Sequence, residues 1–208
     1  MLNSYNNIAR SYSTLARIVY GDKLNQAKLT LVQTLPKHGN LLMIGGGNGE
    51  VLQAIFNHAP LLCVTYLEAS DTMIVLAQKN SPAAMSITFE HSDSFEYAQV
   101  HIDAIYAAFF FDLFSPSKAD EIIRLLEKKH TNKPTWHVGD FNLQGVDKWR
   151  ITRKIQIKAS ILFFRLFTYH PYKKLPLVFQ SFQKNGYISL FTSNLENNFL
   201  CIEVFKKQ

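Results

Sequence analysis

A glycine-rich segment, Gly45 to Gly49, lies between a short apolar run and a stretch of helical spacing. Glycine is needed where a backbone turns sharply, or where it must approach a ligand without a Cβ in the way. The start of the following helix offers unpaired N–H groups that a ligand could use. Such a loop alone is also typical of any tight turn from a strand into a helix, so it is weak evidence for a binding site.

An acid follows at the distance that a nucleotide site requires. Glu68 ends the second apolar run, about 20 residues after Gly49. A carboxylate at this spacing can accept hydrogen bonds from both ribose hydroxyls of an adenosine cofactor. Taken with the glycine loop, Glu68 favours a ligand role over that of a solvated carboxylate at a strand end.

The glycine spacing narrows the class of cofactor. A dinucleotide fingerprint is Gly-x-Gly-x-x-Gly/Ala, whose last small residue packs the helix on the strand. Counted from Gly45 that last position is Glu50, and counted from Gly47 it is Leu52, so neither is small. The loop instead has glycine at every second position, which resembles class I S-adenosylmethionine (SAM)-dependent methyltransferases of the small-molecule type.

The resemblance implies a set of cofactor-binding residues. In that family the glycine loop lies under the methionine part of SAM, and the acid that ends the second strand holds the ribose. A motif after the third strand places an Asp and its neighbour beside the adenine, and an acid begins the fourth strand, matched here by Asp103. The cofactor-binding residues that follow are Gly45, Gly47, Gly49, Glu68, Asp93 and Ser94.

One position departs from the family pattern. The family often has an acid two residues before the first glycine, where it supports the loop or the methionine amine. This chain has Met43 there. Backbone groups do much of the cradling, so SAM binding is still expected, although the missing carboxylate removes one anchor for the amine.

Apolar runs alternate with helical stretches along most of the chain, which predicts a parallel sheet with helices on both faces. The predicted strands are 41–44, 61–67, 87–89, 103–110, 135–141, 187–191 and 199–205. The gap between the last two is too short for a helical crossover, so this pair should be antiparallel. We predict an α/β fold: a doubly wound, mostly parallel seven-stranded sheet with a reversed last strand, Rossmann-like as in the methyltransferases.

The whole chain is predicted to form a single domain. Its parts are an N-terminal helical lid (1–36), a cofactor-binding core (40–141), a basic apolar helical insertion (145–174), and a final helix with the antiparallel strand pair (175–208). The segment around Tyr5 and Tyr12 is similar to the opening of small-molecule and prenylquinone methyltransferases, whose N-terminal helices fold over the cofactor. Simple amphipathic packing of each tyrosine is the alternative.

Candidate catalytic residues lie where strands four and five end, at the sheet edge where open parallel sheets bind ligands. Asp112 and Asp140 could each act as a general base or as an orienting group, and a helix-cap or loop role is the alternative for both. Methyl transfer from SAM has no obligatory catalytic triad, because positioning can supply much of the barrier reduction. His137 is interpreted as a strand residue whose ring is satisfied by hydrogen bonds.

The net charge of +6 is concentrated in residues 145–174, which hold eight basic residues and one acid. No target-base motif of the Asn-Pro-Pro-Tyr type is present, so nucleic acid is not an expected partner. The mixture of cations and apolar residues at 148–167 could make weak contact with an anionic membrane surface. Packing on the core with a solvated basic edge is the preferred alternative.

Cys63 and Cys201 both lie in apolar runs and are predicted to be small core residues. The polar N-terminus lacks a signal-peptide pattern and no run approaches a membrane span, so we expect a cytoplasmic protein. No metal site is expected. The predicted function is SAM-dependent methyl transfer to a small-molecule acceptor. Two alternatives remain: an NAD-dependent Rossmann oxidoreductase, and a non-catalytic SAM-binding methyltransferase-like protein.

Overall fold

The computed structural model describes residues 20–98, 101–142 and 176–208. The predictions made for Tyr5, Tyr12 and the basic insertion at 145–174 lie outside the described residues. Of the predicted N-terminal lid, the described part begins at Tyr20.

Five α-helices and seven strands lie in the described ranges. The helices are α1 (Lys23–Val32), α2 (Leu52–His58), α3 (Asp71–Asn80), α4 (Pro116–Lys129) and α5 (Val178–Lys184). The strands are β1 (His38–Ile44), β2 (Leu61–Glu68), β3 (Ile87–His91), β4 (Ala104–Ala108), β5 (Thr135–Phe141), β6 (Tyr187–Leu195) and β7 (Leu200–Lys207). A 3₁₀ turn, Phe111–Leu113, follows β4.

The seven strands form one sheet in the order β3-β2-β1-β4-β5-β7-β6. Neighbouring strands from β3 to β5 are parallel, whereas β7 is antiparallel to both β5 and β6. The predicted Rossmann-like sheet with a reversed last strand is therefore confirmed. The chain order reverses direction between β1 and β4, and in open α/β sheets this switch point is where the carboxyl ends of the strands form a crevice.

The core consists of one apolar layer on each face of the sheet. Helices α1, α2 and α3 pack on one face, and α4 and α5 pack on the other. Alternate residues of β1 enter opposite layers: Leu41 and Met43 face the first, and Leu42 and Ile44 the second. A strand buried on both faces reads as a continuous apolar run, which is why this short segment was recognisable as a parallel strand.

Strand β4 is shorter than the predicted 103–110. Phe109, the residue after β4, has a φ of +50°, a left-handed conformation that no extended strand can continue. The chain turns there into Phe111–Leu113, held by the Phe109 N–H to Gly139 carbonyl hydrogen bond of 2.7 Å. The strand's end is thereby placed directly beside β5.

The prediction for Cys63 is wrong. Cys63 is exposed, because the first residues of β2 alternate between solvent and core before the strand becomes fully covered, whereas Cys201 is buried as predicted. In the described part of the chain, no helix combines the length and the apolar composition needed to cross a bilayer.

Candidate functional site

The glycine loop leaves β1 directly beside the end of β2. The two strands are parallel and in register up to the pair Ile44 and Leu67. The Gly45 N–H donates to the Leu67 carbonyl at 2.9 Å, which continues the ladder by one residue. Glu68, the last residue of β2, is therefore fixed next to the loop by the sheet itself.

Gly45 is required by the fold. Its φ of +62° is unfavourable for residues with a side chain, and a Cβ there would overlap the Phe110 ring. Gly49 is also confined, since its Cβ would lie 2.8 Å from the Ala77 Cα of α3. These two positions pack the turn against the elements around it.

Gly47 differs from its neighbours. It also has a positive φ, +64°, but no atom of the described residues lies within 4 Å of the place that a Cβ would occupy. The loop therefore presents bare backbone to open space at this residue. This is the arrangement that lets a ligand approach the main chain closely.

The Glu68 carboxylate is bound by three backbone N–H groups. Oε2 accepts from Gly47 at 3.0 Å, and Oε1 accepts from Ala69 at 2.9 Å and from Ser70 at 3.1 Å. Burial raises the pKa of Glu68 above its ordinary value, and the three N–H bonds offset part of that rise. The carboxylate joins the glycine loop to the start of α3, so its position is determined from both sides.

Tyr66 supports the glycine loop from the core side. Its hydroxyl donates to the Gly47 carbonyl at 2.7 Å, and its ring fills the space that a Cβ on Gly46 would need. Burial, followed by the nearby charge of Glu68, raises the pKa of Tyr66, so its hydroxyl remains a donor. Our sequence interpretation missed this residue. The available signal was its position two residues before Glu68, which puts both side chains on one face of β2.

The residues proposed for the adenine lie in the loop after β3. The Ser92 N–H donates to the Glu68 carbonyl at 3.2 Å, which places this loop at the same sheet edge as the carboxylate. The Ser92 hydroxyl accepts from the Ser94 N–H at 3.3 Å and shapes the turn. The side chains of Asp93 and Ser94 are both exposed. The topology therefore brings them together with Glu68.

Asp103 lies immediately before β4, at the end of the strands opposite to the glycine loop. Its Oδ2 accepts from the Asn40 N–H at 2.8 Å, and its Oδ1 lies 3.0 Å from His101 Nε2. These bonds tie the start of β4 to β1. In this structure the acid has a supporting role, remote from the glycine loop.

Asp112 and Asp140 come together at the ends of β4 and β5. The strands pair up to Ala108 and Gly139, so the next residues of each are neighbours. Asp140 is only 2% exposed, and its Oδ1 accepts from the Phe141 N–H at 2.7 Å. Its Oδ2 and the Oδ1 of Asp112 are buried and have no hydrogen-bond partner among the described residues.

This carboxyl pair is electrostatically unusual. Burial raises the pKa of Asp140 to about 7. Burial, and next the charge of Asp140, raises the pKa of Asp112 well above its ordinary range, against an opposing effect of the Lys28 charge. The Lys28 ammonium is itself paired with Glu50. The two carboxyl groups therefore hold protons at a higher pH than free aspartates do.

We predict a pH-dependent stability that originates in Asp140. Its pKa is higher in the folded protein than in the unfolded chain, so the folded state binds more protons between about pH 4 and about pH 7. The free energy of unfolding should fall as pH rises through this window, by up to about 1.4 kcal/mol per pH unit for one proton. Urea unfolding at several pH values should show a shallower fall for Asp140→Asn. An unchanged slope would contradict the assignment.

The prediction for His137 is confirmed. The ring is buried, with Nδ1 at 2.8 Å from the Thr34 hydroxyl and Nε2 at 3.1 Å from the Thr135 hydroxyl. Burial lowers the pKa of His137 to about 4, so the ring is neutral under ordinary conditions. It joins α1 to β5 and takes no part in the site. In the described ranges, no group of three or more His, Cys, Asp or Glu residues could hold a metal ion.

Several solved structures similar to this chain are methyltransferases. Mitomycin 7-O-methyltransferase MmcR is 14% identical with a TM-score of 0.68, covering 96% of this chain and 58% of MmcR. DhpI in a complex with SAH (S-adenosylhomocysteine) is 15% identical with a TM-score of 0.68, covering 99% of this chain and 94% of DhpI. The Burkholderia thailandensis 1,6-didemethyltoxoflavin-N1-methyltransferase, with bound 1,6-didemethyltoxoflavin and S-adenosylhomocysteine, is 11% identical with a TM-score of 0.62, covering 100% and 91%.

These likenesses concern the fold. No protein-family model and no curated protein sequence matches this chain. The chain spans about three fifths of the length of MmcR and of TnmH, but nearly all of DhpI. The chain thus has the class I methyltransferase fold.

Proposed function

We propose that this protein is a SAM-dependent methyltransferase that acts on a small-molecule acceptor. The observation that carries the proposal is the pairing of Gly47 with Glu68. A loop residue that faces open space is bonded, through its N–H, to a buried carboxylate at the end of the neighbouring strand. In this fold, that combination suits a ligand that carries a diol for the carboxylate and that packs closely against the loop backbone.

The residues present fit SAM. The glycine loop from Gly45 to Gly49 would lie under its methionine part, Glu68 would hold the ribose, and Asp93 and Ser94 would lie beside the adenine. Met43 is 1% exposed and is packed in the core below the loop, so no carboxylate is available from that position. The methionine amine must then be held by other groups.

Glu68 can hold a ribose only by exchanging a bond. A carboxylate has about four acceptor positions, and three are used by backbone N–H groups. Two ribose hydroxyls need two acceptor positions on the carboxylate. Since one position is free, one of the backbone N–H bonds must be given up. The bond from Gly47 is the one that can be given up, because its loop faces open space, whereas Ala69 and Ser70 are fixed at the start of α3. We expect Oε2 to accept from the ribose when the ligand binds.

SAM would supply a methyl group activated by its sulfonium, so the protein has to position, desolvate and deprotonate the acceptor. Phe109 and Phe141, whose ring centroids are 5.4 Å apart, are buried in the apolar layer on the α1 face where β4 and β5 end. The adjoining Asp140 can take the acceptor proton on Oδ2. A base with a pKa near the working pH is suited to this transfer.

The proposed domain organisation has support from one ion pair. Lys28 of α1 pairs with Glu50, directly after the glycine loop, so the N-terminal region is tied to the site. The lid role predicted for residues 1–36 stays a proposal, and within that range α1 is fixed in the core by Leu24, Ala27 and Leu31. A weak anionic-membrane contact through 148–167 stays a prediction, which salt-sensitive co-sedimentation with anionic vesicles would test.

A non-catalytic SAM-binding protein is the second candidate, because the acid usual before the loop is replaced by the buried Met43. The oxidoreductase alternative has lost its support. The dinucleotide-binding fold orders its strands 3-2-1-4-5-6, whereas here the antiparallel β7 lies between β5 and β6.

Calorimetry with SAM, its demethylated product SAH, and NADH tests the proposed function. We expect SAM and SAH to bind in the micromolar range and NADH not to bind. Binding of NADH in preference to SAH would refute the proposal. Methyl transfer from labelled SAM to candidate acceptors then separates the enzyme from the non-catalytic alternative.

We predict that Tyr66→Phe weakens SAH binding about fivefold. The substitution removes the hydroxyl that holds the Gly47 carbonyl but keeps the ring that fills the space below Gly46. One neutral hydrogen bond is worth about 1 kcal/mol, which corresponds to this factor. Calorimetry measures the affinity, and thermal unfolding checks that the fold is retained. Unchanged affinity would show that the loop is positioned without this bond.

A further inference from the structure

Two buried carboxyl oxygens at the sheet edge lack hydrogen-bond partners among the described residues: Asp112 Oδ1 and Asp140 Oδ2. Most buried polar atoms in proteins are satisfied, and an exception requires an explanation. The pair lies beyond Phe110, whose ring packs against Gly45 of the glycine loop. It is therefore at the end of β4 and β5, on the side of the loop away from Glu68.

The backbone before the pair is strained. Phe109 has a φ of +50° although it carries a large side chain, and such a conformation persists only where the surroundings impose it. Its hydrogen bond to Gly139 fixes β4 against β5 and so brings the two carboxyl groups together. The strain and the unpaired oxygens fall within a few residues of one another, as expected at a functional site rather than at a packing defect.

Among the described residues, one cation acts on the pair, and backbone N–H groups partly offset the pKa rise of the two carboxyls: those of Phe111, Asp112, Leu113 and Phe141. Lys28 is the described cation whose charge acts on Asp112, but its ammonium is already bonded to Glu50. Two buried acceptors without a partner among the described residues match a ligand with two or more N–H donors, and an acidic pair favours one that carries a positive charge. A hydroxyl offers one donor and no charge. A protonated primary or secondary amine offers both.

We propose that Asp112 and Asp140 recognise a basic nitrogen, so that the methyl acceptor is an amine. The inference rests on the proposed function and specifies its substrate class. The acceptor binds as an ammonium and donates N–H bonds to Asp112 Oδ1 and Asp140 Oδ2.

The proton balance of the step is complete. Asp140, ionised, takes one proton from the bound ammonium and frees the nitrogen lone pair. That pair attacks the methyl carbon of the donor, so that the N–C bond forms while the S–C bond breaks and its electrons stay on sulfur. The product is the N-methylated ammonium, and Asp140 returns its proton to water after product release. Asp112 keeps its proton throughout.

Calorimetric titrations of the SAH-saturated protein test the proposal with two matched pairs of probes. Benzylamine is compared with benzyl alcohol, and 2-phenylethylamine with 2-phenylethanol. We expect at least one amine to bind the wild-type protein about tenfold or more tightly than its alcohol, as charge-assisted hydrogen bonds require. In Asp112→Asn and Asp140→Asn the preference should disappear. Asp103→Asn, at the opposite end of the strands, is the control and should retain it.

Stability distinguishes a recognition pair from a structural one. Asp112→Asn removes one carboxyl group from the pair and supplies an amide donor for the other, so the ligand-free protein should melt about 2–4 °C higher. A lower melting temperature combined with an unchanged amine preference would show that the carboxyls are structural, which overturns the proposal. Equal binding of amines and alcohols by the wild-type protein would also overturn it.

The α-ammonium of SAM is also a positively charged N–H donor, and it could bind Asp112 and Asp140 in place of an acceptor amine. If the pair held that group, the Asn variants would lose SAH affinity and the amine preference would be absent, and the acceptor assignment would be wrong. We expect SAH affinity to remain within about twofold of wild type. The amine titrations are repeated without SAH. Failure of SAH to bind the wild-type protein refutes the proposed function, whereas SAH binding without amine preference refutes only this inference.

Discussion

Gly47→Ala is expected to abolish SAH binding while the protein remains folded. A Cβ at this position would meet no atom of the part of the chain that the structure describes, so the fold there bears only the cost of a positive φ in a non-glycine residue, about 1–2 kcal/mol. The same Cβ would enter the open space above the loop, where the ligand must approach the backbone. Calorimetry and thermal unfolding on one preparation give both quantities.

Gly45→Ala is the matched control for this prediction. It carries a similar conformational cost, but its Cβ would overlap the Phe110 ring, which adds about 1–3 kcal/mol of overpacking. We expect it to lower stability more than Gly47→Ala does. If Gly47→Ala binds SAH with wild-type affinity, the open space above the loop is not the binding site.

Glu68→Gln is expected to weaken SAH binding about 10- to 150-fold with little loss of stability. A bond to a charged acceptor contributes about 1.5–3 kcal/mol. The amide keeps one oxygen for Ala69 and Ser70. It also removes a buried charge whose cost is evident in the raised pKa of Glu68. Calorimetry and urea unfolding measure the two effects.

Glu68→Ala should affect both properties. Three backbone N–H groups would lose their acceptor, so the free energy of unfolding should fall as well as the affinity for SAH. The comparison of the two variants separates ligand binding from support of the loop. Wild-type SAH affinity in Glu68→Gln would remove the ribose assignment.

Sequence patterns predicted the regular elements well where local and long-range signals agree. Strand β5 has the predicted bounds, 135–141. Helix α4 begins at local signals in the sequence: the Ser115 hydroxyl accepts from the Lys118 N–H, and Pro116 occupies the first turn. The end of β4 was wrong because three consecutive phenylalanines favour a strand, while the turn at Phe109 is imposed by its neighbours.

The site was predictable in its parts but not in its contacts. The spacing of the glycines and Glu68 follows from the chain itself, because a strand, a turn and a helix have limited lengths. The role of Tyr66 depends on how β2 pairs with β1, which no local pattern encodes. Likewise, Asp112 and Asp140 were each identifiable at a strand end. Their shared burial depends on β4 and β5 being neighbours in the sheet.

A crystal structure of the protein grown with SAH would show whether the glycine loop and Glu68 hold the ligand. We expect the ribose hydroxyls within hydrogen-bond distance of Glu68 Oε2 and the amino-acid part of SAH over Gly47. We also expect the Gly47 N–H bond to Glu68 to be lengthened or broken. SAH bound elsewhere, or a loop that stays closed on Glu68 in the presence of saturating ligand, would refute the proposed site.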